Sequence, residues 1–111
     1  MDCHWKAWTP ATTVEKARRV GEPLLERIGG DRTSLQIEPY PKTNGHVLSF
    51  VVRVDQRTWA DAVLAVLSTA QSVGHGWGIS GAIEEELDLT ANRVSAVGIS
   101  MLSCRIKRVD S

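Results

Sequence analysis

The run Val47-Leu48-Ser49-Phe50-Val51-Val52-Arg53-Val54 is apolar on nearly both faces of an extended chain. Such a strand suits the interior of a sheet that helices cover on at least one side. The rest of the sequence supplies that setting. Residues 2 to 9 alternate Cys3, Trp5 and Ala7 against His4, Lys6 and Trp8, a first strand that Pro10 stops. Residues 33 to 40 alternate Leu35 and Ile37 against Ser34, Gln36 and Glu38, and Pro39 and Pro41 confine this second strand to an edge or end it early. Asn44-Gly45 is the pair that most readily takes the positive φ angles of a tight turn, so the second and third strands read as a hairpin.

Two helical stripes flank this hairpin. Thr12 stands three residues before Glu15, the spacing of a capping box, and Val14, Ala17, Gly21, Leu24, Leu25 and Ile28 form one apolar face. Pro23 lacks a backbone donor and, with Gly21, predicts a kink or a split near Gly21, while Gly29-Gly30 supplies a left-handed stop. Thr58 precedes Asp61 by three residues, and Trp59, Val63, Val66, Leu67, Ala70 and Val73 make the second stripe, ended by Gly74-His75-Gly76.

Gly76 to Lys107 reads as two long strands turning at Thr90-Ala91-Asn92. Pairing Leu89 with Val94 sets Trp77 against Ile106, Ile79 against Cys104 and Ile83 against Ser100 on a buried face. The other face then carries Glu84, Glu86 and Asp88 beside Ile99, Val97 and Met101. A register slip or a bulge near Gly98 would instead turn these three apolar residues inward. The resulting order, strand, helix, strand, strand, helix, strand, strand (βαββαββ), predicts a single α+β domain over 1–111. It is a sandwich in which two helices pack on one face of a mainly antiparallel sheet, of the split βαβ kind with one added strand; the alternatives are another α+β sandwich of the same element order or a mispairing of the last two strands.

Composition narrows the function classes. The chain has 111 residues, long enough to bury one core unaided, and its 13 basic and 13 acidic residues balance, which argues against non-specific nucleic-acid binding. No run of about 18 apolar residues marks a membrane span, and the start carries neither a basic n-region nor an apolar h-region, so a cytoplasmic protein is expected. Cys3 and Cys104 then remain thiols even if their strands are neighbours. No metal or cofactor is expected: Cys3 and His4 are adjacent and point to opposite faces, and the remaining histidines, His46 and His75, are scattered. The glycines at 74, 76, 78 and 81 follow a helix instead of leading into one, unlike a phosphate loop. No nucleophile and base stand in a recognisable order, and Glu84 and Glu86 have no apolar pocket to raise either pKa. An enzyme is not expected.

What remains is a surface. Trp8 shares a strand face with His4 and Lys6, which makes it a candidate anchor for a partner. With the acidic residues Glu84, Glu86 and Asp88 and the apolar residues Val97, Ile99 and Met101, it completes the candidate partner-binding set. In size, leaderless start, α+β character and acidic strand bordered by apolar positions, the chain resembles the small cognate immunity proteins of bacterial toxin systems, including contact-dependent inhibition. The resemblance is one of general character over the whole chain. It implies a non-catalytic protein that binds the C-terminal domain of one toxin, often a nuclease, and blocks its active site. Neither direct nucleic-acid binding nor membrane association is expected, and the free protein would be a monomer or homodimer. The alternative is a dimerising ligand-binding or regulatory domain of ferredoxin-like type, with Val97, Ile99 and Met101 as the self-interface and Gly76 to Gly78 as a ligand loop.

Overall fold

The computed structural model describes residues 1–33 and 35–109. Two helices and an antiparallel sheet make up an α+β fold. The elements in chain order are β1 (Asp2–Thr9), α1 (Val14–Ile28), β2 (Gln36–Pro39), β3 (His46–Arg53), α2 (Trp59–Val73), β4 (Gly74–His75), β5 (Gly78–Ser80), β6 (Glu86–Ala91), β7 (Arg93–Val94) and β8 (Met101–Lys107). Six strands form one sheet in the order β2-β3-β1-β8-β6-β5, and β4 pairs with β7 in a separate ribbon. The gap between β1 and β2 is filled by β3, and the gap between β3 and β8 by β1, which is the split βαβ arrangement. The order is therefore longer than βαββαββ, because the last third breaks into five short strands.

The covered face is made by alternation. Cys3, Trp5 and Ala7 of β1, Leu48, Phe50 and Val52 of β3, Leu87 and Leu89 of β6, and Leu102, Cys104 and Ile106 of β8 are buried in one core with Ala17, Leu24 and Leu25 of α1 and Ala62, Val63, Val66, Ala70 and Val73 of α2. Each fully buried Leu or Ile contributes about 1.5–3 kcal/mol. Trp5 stacks parallel to Phe50 at a centroid distance of 6.3 Å, and Trp77 meets it edge-on at 6.4 Å.

α1 starts one residue later than the capping-box spacing predicts: Thr13, not Thr12, accepts a hydrogen bond from the Lys16 amide, at 3.2 Å. The helix is not split at Gly21 but runs on through Pro23. Gly21 serves packing instead of a break, since a Cβ there would run into Leu48 and the glycine lets the helix lie close on β3. Gly29 and Gly30 have φ of 63° and 76°, the left-handed stop. α2 is capped by Thr58, which accepts from the Asp61 amide at 3.2 Å.

β2 is an edge strand but shorter than 33–40; Ser34 lies outside the described residues. Asn44-Gly45 does not supply a positive-φ turn, as neither residue has positive φ. The Tyr40 amide instead donates to the Gly45 carbonyl at 3.0 Å, and Gly45 is needed because a Cβ there would strike the Thr9 carbonyl oxygen.

The largest correction concerns 76–107. The chain reverses at 81–85, where Gly81 has φ of 90° and the Glu85 and Glu86 amides both donate to the Ala82 carbonyl at 2.8 Å. The short β5 therefore pairs with β6, Ile79 facing Leu89. β6 continues through Thr90 and Ala91 and pairs with β8 in the register Leu89 to Cys104 and Glu86 to Lys107, ten positions away from the Leu89 to Val94 alignment. Residues 93 and 94 go to β4 instead, and 95–100 form a loop. Trp77 does not meet Ile106. Ile79 and Ile83, expected in the buried face, are 60% and 51% exposed.

Candidate functional site

The candidate site is the face of the sheet opposite the helices. Period-two alternation puts Asp2, His4, Lys6 and Trp8 of β1 there, with Val47, Ser49 and Val51 of β3, Met101, Ser103, Arg105 and Lys107 of β8, and Glu86, Asp88 and Thr90 of β6. A groove of about 690 Å³ crosses this face, lined by β1, β6 and β8 side chains and by Val109. Trp8, Val47 and Met101 are half-buried and lie in one cross-strand row, Trp8 pairing with Val47 on one side and Met101 on the other. They form the apolar end of the face.

The charged end is β6 with β8. Arg105 donates from Nη2 to Glu86 Oε2 at 3.3 Å, and its Nε lies 3.9 Å from Asp88 Oδ2. The pairing is a consequence of register, because Asp88 stands directly opposite Arg105. Glu86 and Asp88 are thus held by a cation of the same chain, and Lys107 stands opposite Glu86. The face is mixed in charge.

Of the sequence-derived set, the structure brings Trp8, Met101, Glu86 and Asp88 to one face. It does not bring Glu84 there: that residue sits in the 81–85 turn, exposed, where its backbone carbonyl accepts from Arg108 Nη1 at 3.3 Å. Val97 lies in the 95–100 loop and is 93% exposed, whereas Ile99 is buried in the core. Gly98, with φ of 86° and α1 Val20 close by, bends the loop so that these alternate residues part company. The acidic row beside an apolar row of Val97, Ile99 and Met101 therefore does not exist. Residues that the sequence reading did not single out are Val47, Val51 and Arg105. The signal for the first two was the two-sided apolarity of β3, and Arg105 was legible, with Lys107 and Arg108, as a basic neighbour able to neutralise the acidic patch within the chain.

Chemistry elsewhere is structural. Cys3 and Cys104 are free thiols on the covered face of neighbouring strands, one step out of direct pairing. A hydrogen bond with Cys3, then burial, then the charges of Cys3 and Asp88 push the Cys104 thiol far above its ordinary range, so it stays protonated and is not a nucleophile. His46 is buried, its Nδ1 at 2.8 Å from the Ala11 carbonyl, and ties the start of β3 to the end of β1. Trp59 and Trp77 donate their indole N–H groups to the carbonyls of Ile83 and Ala70 at 2.7 and 3.0 Å. Among the described residues, no group of three or more His, Cys, Asp or Glu is placed to hold a metal ion, and no helix is long and apolar enough to cross a membrane. No family model, curated protein or solved structure matches the chain.

Proposed function

We propose that this chain is a non-catalytic inhibitor that binds and blocks a cognate bacterial toxin domain, a nuclease in the first instance, through the open face of its sheet. One observation carries the reading: half-buried Trp8 and Met101 share a helix-free face with the carboxylates Glu86 and Asp88. Apolar and aromatic anchors slow dissociation, while charges steer encounter and reject wrong partners. Cytoplasmic location belongs to the same proposal, since that is where such a toxin acts. The carboxylates do not act as a free acidic row, because a basic residue of the toxin has to compete with Arg105 for them.

The test is co-expression with the C-terminal domain of a large secreted protein encoded next to this gene. The expected outcome is rescue of growth and co-purification of the two chains. Trp8→Ala should weaken the complex roughly 30-fold, the scale of a hot-spot aromatic. Failure of the wild-type chain to rescue cells from that domain sinks the reading.

A second reading has its own support, because Val47 and Val51 add apolar area to the same face. In it, two copies of a regulatory or ligand-binding domain of ferredoxin-like type pack their open faces together. A sizing column separates the two: a salt-insensitive homodimer that shields Trp8 favours the second, and a monomer removes it.

A further inference from the structure

At one end of the open face the structure holds a cavity of about 410 Å³, lined by Trp8, Pro10, Tyr40, Gly45, Ser100 and Met101 among others. Among the described residues, no charged side chain lines it. Its walls come from three separate segments: the 95–100 loop is hydrogen-bonded to the end of β1, and the 40–45 turn is hydrogen-bonded within itself and packed on Thr9 and Pro10. The Ser100 amide and hydroxyl both donate to the Trp8 carbonyl, at 2.8 and 3.0 Å. Thr9 Oγ1 donates to the Gly98 carbonyl at 2.7 Å, which fixes the 95–100 loop to the end of β1. The 40–45 turn is closed by the Tyr40 amide on the Gly45 carbonyl and by the Gly45 amide on Thr43 Oγ1, both at 3.0 Å. Gly45 then presses that turn onto the backbone of Thr9 and Pro10, which brings Tyr40 to the same cavity as Trp8.

The geometry points to a preformed anchor pocket at Trp8 and Tyr40 that takes one large uncharged side chain, aliphatic or aromatic, from the protein partner. This assignment rests on the docking role proposed above for the adjoining face. The argument is electrostatic and entropic. A charged group entering the cavity gives up its hydration and finds no counter-charge, whereas an apolar one only sheds water. The hydrogen-bonded walls have little ordering left to lose on binding, so burial of the guest is not spent on fixing loops. Met101, unbranched and polarizable, adapts one wall to the guest's shape.

Three probes with a common indole ring and different charge test the pocket without the partner: indole (neutral), indole-3-acetate (anionic) and tryptamine (cationic). Each is titrated into the wild-type chain while the side-chain indole N–H resonances of its four tryptophans are followed by NMR. Indole is expected to shift the Trp8 resonance saturably with a dissociation constant of order millimolar. The charged probes should bind at least about fivefold more weakly. Tyr40→Ala, checked for folding by its melting curve, should lose the indole response. No saturable Trp8 shift, equal binding of charged probes, or an unchanged response in Tyr40→Ala would each overturn the pocket. The occupant is tested in the captured complex, where Tyr40→Ala should raise the dissociation rate about tenfold and alter the association rate less than about twofold. Indole binding with a complex indifferent to Tyr40→Ala overturns the occupant and spares the docking face. Indole binding with no protein captured by the wild-type chain overturns the docking role and the occupant together.

Discussion

The Trp8 corner and the β6 strip share one sheet face and satisfy their polar groups in opposite ways. Along the strip, Glu86 and Asp88 are held by Arg105 across the ladder, with side chains 29%, 36% and 53% exposed respectively. Pairs this wet are worth little, about 0–1 kcal/mol, and are screened by salt. At the corner, the Thr9 and Ser100 hydroxyls donate to the backbone carbonyls of Gly98 and Trp8, and uncharged groups line the cavity. The strip can exchange partners at small net gain, whereas the corner gains from any well-shaped apolar guest.

The largest effect that bears on this contrast is expected at Gly45. Its absent Cβ is what allows the 40–45 turn to lie on the Thr9 and Pro10 backbone. Gly45→Ala forces backbone against backbone and should cost about 2–3 kcal/mol, in the range of overpacking. Gly78→Ala on β5, where a Cβ comes no nearer than 3.6 Å to the Thr90 carbonyl oxygen, should change stability by less than about 1 kcal/mol. Denaturant midpoints measure both. Equal midpoints would mean that the corner gives way easily, and the claim of a preformed site would go with it.

Next in size is the behaviour of the strip's reverse side in alkali. Cys104 faces the core one residue before Arg105, and the Cys3 hydrogen bond and burial, with a smaller contribution from Asp88, raise its pKa. A raised folded pKa means that above the ordinary thiol value, about 8.5, the unfolded chain releases a proton that the folded chain keeps. Stability from this group is therefore full below that pH and falls above it, by about 1.4 kcal/mol per unit once the unfolded thiol is fully ionised, hence roughly 1 kcal/mol between pH 9 and 10. Comparing the wild-type chain with Cys104→Ala isolates the term from lysine and tyrosine titration. Parallel stability curves for the two would place Cys104 outside the core.

How much of this was legible depends on whether local pattern or long-range pairing decides. Residues 2–73 carry strong local signals: alternation around Trp5, the cap at Thr58, and the double glycine at 29 and 30. The main strands and both helices follow from these, with Gly21 misread because its role is to let α1 approach Leu48, a contact invisible from the helix alone. Residues 74–107 are different. Thr90-Ala91-Asn92 looks like a turn locally, yet Leu89 gains more from Cys104 than from Val94, because β8 is already fixed beside β1. A ten-residue shift is even and leaves Glu86 and Asp88 on the expected face, but it moves Ile79 onto the short edge strand β5 and puts Ile83 and Glu84 in the 81–85 turn, where a core or a surface strand had been expected. Trp8 kept its expected face because β1 sets it alone, and Met101, Glu86 and Asp88 kept theirs because the shift of register is even.

The smallest effect on the fold should come from Arg105, and it is the most informative for the strip. Arg105→Gln removes the cation shared by Glu86 and Asp88 and should cost less than about 1 kcal/mol, given how exposed all three groups are. Its effect on a basic partner should be larger and of opposite sign. Two carboxylates are released from an internal competitor, so association should accelerate several-fold and its dependence on ionic strength should steepen. Rate constants for the captured complex, measured at two salt concentrations, decide it. Slower association in Arg105→Gln would mean that the arginine itself meets the partner and that the partner's facing surface is acidic. A nuclease uses basic residues on phosphate, so that outcome would move the nuclease off this strip and leave the Trp8 corner as the part of the face still able to hold it.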